Sequence, residues 1–564
     1  MTGRRVGLAV VVALMVAACG NGTAARVSSA DAEGGVLRVG VVETSQSLNP
    51  WLTLTLPSGI GKMLAYPRLI EQDAGAGGWH PAPDLATSWD IAPDYRRITF
   101  HLRPTAKWSD GGPITARDAA WTINTTLRFR DGPTSRMAGV VAGIERASAP
   151  DPTTLVVDYH TVRSDALEAV GGVPLLPEHV WAPLATGDGR GLQAYRPDQR
   201  PGGMVTGGPY RLQRFDPRGT VVFVRDPDYY RPPARAKVLT LTLFTNADSM
   251  VHAFRAGEVD VILSVPTSAV PAVRKTPGAT VSADPSFEQL DLLFNSNPNK
   301  TENRELLDPR VREALGYCID RQDVIDVVFH GYARRIETLF GSTSQYANRA
   351  LPARDHDCAA GNRILDELGY RRGPDGVRIV PAGSGQPTHR MAYEVVTPNS
   401  WPFNITRAAT ILRSNLGDLG VDATQLTVGD EPATWAKTLG ADCDATTRRG
   451  YTGWDLWLDV DISDINPLDT LDHYVSSSWC AWNLTGFTDP AYDELYRATS
   501  RDPAQRDAGI MKLQEMYYLA RAAYPIAEIP EISAHNDRWT GFPSFLLVAT
   551  NKDFYTRPHL TNGG

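Results

Sequence analysis

No apolar run in this 564-residue chain approaches the roughly 20 residues that a helix needs to cross a bilayer; the most apolar, Val6 to Ala18, holds thirteen uncharged residues. Positive charge is also short: 56 Lys and Arg stand against 64 Asp and Glu, a net charge of −8. A nucleic-acid binder would carry a basic stripe, and none is present. Catalytic signatures are missing too. There is no GxSxG, HExxH, CxxC or phosphate-binding loop. GIGKM at Gly59 lacks the first glycine and the hydroxyl of such a loop, and GAGGW at Gly75 lacks the third glycine of a dinucleotide loop. DVDISD (Asp459 to Asp464) starts like a calcium loop but has Asp at the sixth place and Thr470 at the twelfth. These absences point away from membrane-spanning, nucleic-acid-binding and enzymatic roles, and no cofactor or metal is expected.

What is present begins with a leader. Arg4 and Arg5, a short apolar stretch and Val-Ala-Ala before Cys19 make an export signal over 1–18. The VAAC ending resembles a bacterial lipobox, which makes Cys19 a lipid-modified first residue of the mature chain. Residues 19–35 are small and polar, a flexible tether. The expected location is the outer face of a bacterial cell membrane, held by lipid. Four further cysteines, Cys318, Cys358, Cys443 and Cys480, suit disulfides in that compartment. Three pairings are open; Cys443 with Cys480 is favoured because both fall in one loop-rich stretch.

Strand-like and helix-like segments then alternate, which predicts α/β lobes. VLRVGVV (36–42) and RITFHLR (97–103) read as strands, and VDVIL (259–263) as another after a helix over 246–256. Asp308-Pro309 opens a helix with apolar residues at 311, 314, 315 and 318, and a second runs over 320–331. A helix over 404–419 stops at Gly420. Asp502-Pro503 should cap a last long helix. Six of the 13 tryptophans, Trp401, Trp435, Trp454, Trp457, Trp479 and Trp482, crowd into 82 residues. Large flat side chains at that density suit either a core or the wall of a broad ligand pocket.

Lys107 to Trp121, KWSDGGPITARDAAW, predicts a tight turn at Asp110-Gly111-Gly112 and a helix capped by Thr115 with Asp118. With ITFHLRPTA before it and DLATSW (84–89) upstream, it resembles the fingerprint of the family 5 extracytoplasmic solute-binding proteins, the oligopeptide-, dipeptide- and nickel-binding receptors of ABC importers. SLNP (47–50), LPEHVW (176–181), TGGPYRL (206–212), VRDPDYY (224–230), FRAGEVD (254–260), DLLFNSN (291–297), DPRVREALGYCIDR (308–321) and NLTGFTDPAYDEL (483–495) follow in the family's order.

The resemblance implies a two-lobed, periplasmic-binding-protein-like α/β fold that closes on a ligand about a hinge. The first lobe would be 36–75, 201–300 and 520–564, with a domain inserted at 76–200 and the second lobe at 301–519. It implies an oligopeptide ligand, ABC permease subunits as partners, and a monomer. In peptide-binding relatives an aspartate of the second lobe pairs with the ligand's α-ammonium group. Counting forward from Asp455 puts that position at Asp464, and counting back from Pro467 puts it at Ser463; Asp461 is the reserve. Trp435 and Trp457 would supply an aromatic wall, Arg449 a basic pocket residue, and Leu54, Thr55 and Leu56 a backbone rail from the first lobe. The same fold could instead take a metal chelate, haem, sugar or glycopeptide, or serve as an envelope accessory lipoprotein without transport.

Overall fold

A computed structural model describes residues 34–561 apart from 46, 53–54, 76–77, 201–202, 384, 400–402, 441–442, 448, 452, 464–465 and 545–550. Cys19, Leu54, Trp401 and Asp464 therefore lie outside the described residues, as does the expected leader.

Apolar runs without polar alternation are what parallel strands covered on both faces require. Val36–Val42 is one, and it lies parallel between Val238–Phe244 and Val261–Ile262. It belongs to a ten-stranded sheet whose order is Leu426–Gly429, Val395–Pro398, Leu456–Ile462, Ala279–Phe294, Ala523–Asn536, Val261–Ile262, Val36–Val42, Val238–Phe244, Thr220–Arg225, Tyr210–Arg214. Each half of this sheet has its own cores. In the first half Leu37, Val39 and Val41 pack with Ile60, Phe223 and Leu241, while Met250, Phe254 and Ile262 fill a separate core. In the second, Leu290, Leu292 and Phe294 join Val395 and Leu458, and Leu293 joins Trp457 and Ile510. Side chains alternate across a strand, so one run of residues serves two cores.

Two long strands, Ala279–Phe294 and Ala523–Asn536, pass from one half to the other, antiparallel to each other. Their register shifts between Pro285 and Gln289, where Pro285 faces Pro530. Proline has no N–H for the ladder, so the pairing gives way there. The Ser286 hydroxyl repairs part of the break by donating to the Ile529 carbonyl at 2.6 Å. That is the hinge.

A separate core surrounds a four-stranded antiparallel sheet ordered Ala86–Ile91, Arg97–Leu102, Thr154–Tyr159, Ile144–Asp151, with the helix Ala116–Arg128 against it. Thr115 and Asp118 form the expected capping box. The turn before it forms through Gly111 at φ +92° and a hydrogen bond from Trp108 N to Gly112 O of 2.8 Å. Trp108 is buried against Gly207, where an added Cβ would come within 2.9 Å of its ring. The KWSDG and TGGPY segments thus fit each other, and Ser109 N donates to Thr206 O at 2.7 Å.

The helices start where their caps predict at Asn246, Asp308, Asp320 and Asn404, each side chain accepting a backbone N–H of its first turn. Two expectations need correction. The last long helix is Arg506–Ala520, since Asp502 turns its carboxylate onto Ala504 N at 3.0 Å and closes a turn instead. The strand expected over 259–263 is reduced to Val261–Ile262, because the Asp260 carboxylate takes the Arg38 backbone N–H at 3.0 Å and its guanidinium at 2.6 Å. Near the C-terminus, Phe554 and Tyr555 return to the first core, and buried Lys552 meets Glu71 at 3.0 Å and Asp84.

Candidate ligand-binding site

The strand Leu456–Ile462 alternates by period two, with Leu456, Leu458 and Val460 in one core. Trp457, Asp459 and Asp461 therefore share the opposite face. The neighbouring strand sets Leu293 opposite Trp457, Asp291 opposite Asp459, and Gln289 opposite Asp461. Three carboxylates and an amide meet on one sheet face beside the hinge. Asp459 accepts Val460 N at 2.8 Å, and Asp461 accepts Ile462 N at 2.9 Å. Burial pushes the Asp291 carboxyl well above the usual range, and the charges of Asp461 and Asp459 push the same way. Between them lies a cavity of about 10 Å³, room for one water-sized group.

Aromatic rings close this corner. His473 brings Nδ1 to 3.0 Å from Asp461 Oδ1 and stacks on Trp482, with ring centroids 5.7 Å apart. Trp482 is 58% exposed and meets Trp435 edge to face at 6.2 Å; Trp435 meets buried Trp457 at 6.3 Å. The loop bearing Trp482 is held by a disulfide between Cys443 and Cys480, Cα atoms 5.6 Å apart, and by Cys480 N donating to Tyr451 Oη at 2.8 Å. The favoured pairing is present, and Cys318 is joined to Cys358.

Of the residues expected at the site, Asp461, Trp435 and Trp457 come together. Arg449 does not join them: its side chain is 63% exposed, reaches Asp444 at 3.5 Å, and is not among the cavity's lining residues. Thr55 precedes the helix Leu56–Ala65, and the Leu56 N–H already donates to Glu43 Oε2 at 3.0 Å. Asp464 is outside the described residues; its neighbour Ser463 donates its N–H to Phe287 O, in the hinge, at 2.7 Å. Sequence reasoning missed Gln289, Asp291 and His473. The alternation Gln289-Leu290-Asp291-Leu292 signals a polar face, but nothing local names the strand it faces.

The segment that carries Asp165 and Glu168 meets Asn466 and Arg506, some 300 positions further along the chain. Asn466 Nδ2 donates to Asp165 Oδ2 at 2.7 Å, and Arg506 Nη1 lies 3.2 Å from Glu168 Oε1. Burial alone would raise the Asp165 carboxyl, but Arg163, at 2.5 Å, holds it below the usual range. Among the described residues, no three His, Cys, Asp or Glu side chains are grouped to hold a metal ion, and no helix is long and apolar enough to cross a membrane.

Comparison with known proteins places this architecture. The curated "Probable peptide-binding protein YejA" of Agrobacterium fabrum is 23% identical over 515 residues, covering 82% of this chain and 79% of that protein. The solved structure of the ABC transporter substrate-binding protein CtaP of Listeria monocytogenes superposes with a TM-score of 0.77 at 20% identity, covering 94% of this chain and all of that one. NikA from Brucella suis, in complex with Fe(III)-EDTA, gives 0.74 at 20% identity over 92% and 99%. Both share the fold, the two-lobed binding-protein architecture expected of the sequence. The sequence pattern of the bacterial extracellular solute-binding proteins, family 5 Middle, matches residues 80–461. The chain belongs to that family of extracellular solute-binding proteins.

Proposed function

We propose that the protein captures oligopeptides for an ABC importer, held to the membrane by lipid on Cys19 and closing its lobes over the ligand. The observation that carries the reading is the carboxylate corner of Asp459 and Asp461, roofed by Trp482 and Trp435 at the mouth of the hinge. An anionic corner with aromatic walls suits the α-ammonium end of a peptide. It suits an anionic metal chelate poorly, so the chelate reading takes second place. Asp464, three positions after Asp461 in the sequence, is the proposed further anchor, and Thr55 with its neighbours lines the first-lobe side. The inserted domain at 76–200 supports the first lobe and takes no ligand. The monomer docks on permease subunits once closed, a hinge motion of the kind that such lobes perform.

Calorimetry with a free-amine peptide pool, after mass spectrometry of whatever co-purifies, tests the reading. Free-amine peptides should bind, and their N-acetylated forms should bind about 10²- to 10³-fold more weakly, the cost of leaving a buried charge unpaired. Equal affinity for both would remove the carboxylates from the anchor role. Cys19→Ala should leave the body folded and free it from the membrane fraction.

A further inference from the structure

Asp291 is fully buried, yet among the described residues no lysine or arginine lines the cavity it faces. Its Oδ2 accepts from Gln289 Nε2 at 2.9 Å. Its Oδ1 and the Gln289 Oε1 are buried with no hydrogen-bond partner among the described residues. An orphan carboxylate oxygen on the wall of a water-sized void, with a second orphan acceptor on the neighbouring Gln289, calls for a group rich in donors, and an ammonium group offers three N–H donors and no acceptor. The titratable groups facing Asp291 are Asp459 directly opposite, Asp461 diagonally, and His473 and Tyr474 from the far wall. Tyr517, on the helix Arg506–Ala520, packs against Tyr474 in the same core, ring centroids 4.6 Å apart. On the third strand of the pairing Asp291 meets only Pro525, and Glu528 lies opposite Gln289.

We propose that the ligand's primary ammonium group seats in this cavity against Asp291, and that Asp291 gives up one proton to solvent when it arrives. The proposal rests on the peptide reading above and adds a residue and a proton to it. The charge balance follows from the geometry. A buried carboxyl with no cation and two carboxylate neighbours is held neutral, since the charged form would be both desolvated and repelled. The arriving cation reverses that preference. The O–H bond breaks, the proton passes to buffer, and Asp291 Oδ1 accepts an N–H of the ligand. Binding therefore weakens as pH falls, by about tenfold per unit in the range where the empty protein is protonated and the complex is not.

The test is calorimetry of tetra-alanine binding to the delipidated protein near neutral pH, in two buffers of different ionisation enthalpy. One proton released per peptide is expected, with affinity rising with pH; Asp291→Asn should abolish both the release and the slope. Peptide binding without proton release would overturn the inference and leave the peptide reading standing. If tetra-alanine and the free-amine pool do not bind, the peptide reading falls, and the inference is judged on the empty wild-type protein with ¹³C-labelled aspartate. One buried aspartate carboxyl should then stay protonated far above the others in the NMR titration, and an ordinary titration for every aspartate overturns it.

Discussion

Lys552 sits out of water between Glu71 and Asp84, with Arg231 reaching Asp84 at 3.4 Å. Burial pushes the Glu71 carboxyl up; burial would also raise Asp84, but Lys552 and Arg231 hold it below the usual range. The charge of Lys552 is thus spent chiefly on Asp84. Lys552→Met leaves a desolvated carboxylate behind and should destabilise the fold by about 3 to 5 kcal/mol, read as a lower denaturant midpoint at unchanged slope. Residue-scale features of this kind were not legible in the sequence. Lys552 and Asp84 are 468 positions apart, and no periodicity links them. Thr115 and Asp118 were legible, because a capping box is closed within one helical turn. Asp461 was half legible: the family resemblance named it as the reserve anchor, while the partner strand that completes the corner could only be seen folded.

Among the elements, the two crossing strands and the link from Asn466 to Asp165 each join parts of the chain far apart in sequence. Glu531 lies on the second crossing strand, opposite Asp284 and next to Pro530, where the register shifts. It is half-buried, and Ser264 N donates to its Oε1 at 2.9 Å. Burial raises its carboxyl to about 7 against an ordinary 4.5, with Glu288 adding to the push. The folded state holds this proton where the unfolded chain has lost it, so stability is highest at low pH and falls as pH rises toward 7. The span amounts to about 3 kcal/mol. Glu531→Gln should remove that slope in chemical denaturation measured across pH 4.5 to 7. The Asn466 link contributes differently. Removing Asn466 leaves Asp165 with Arg163 but breaks the 2.7 Å link between Asn466 and Asp165. Asn466→Ala should shift the empty protein toward an open form, seen as a larger radius of gyration in small-angle scattering, and speed ligand release several-fold. A net hydrogen bond of about 1 kcal/mol sets that scale.

At the scale of the whole molecule, the alternation of strand and helix announced α/β lobes, and caps at Asn246, Asp308 and Asn404 fixed where helices begin. What stayed hidden was that a single sheet runs through both lobes, because strand order is set by pairings hundreds of residues apart. Those pairings have a consequence for the order of synthesis. Ala523–Asn536 stands in the middle of the sheet, yet it is made after more than nine-tenths of the chain. Until it emerges, Ala279–Phe294 lacks its main partner and Val261–Ile262 has no neighbour on that side. Neither lobe can finish early and wait for the other. A chain cut after Ala520 should therefore be protease-sensitive through both halves of the ten-stranded sheet, whereas the four-stranded sheet over 86–159, whose pairings are all local, should still resist the protease.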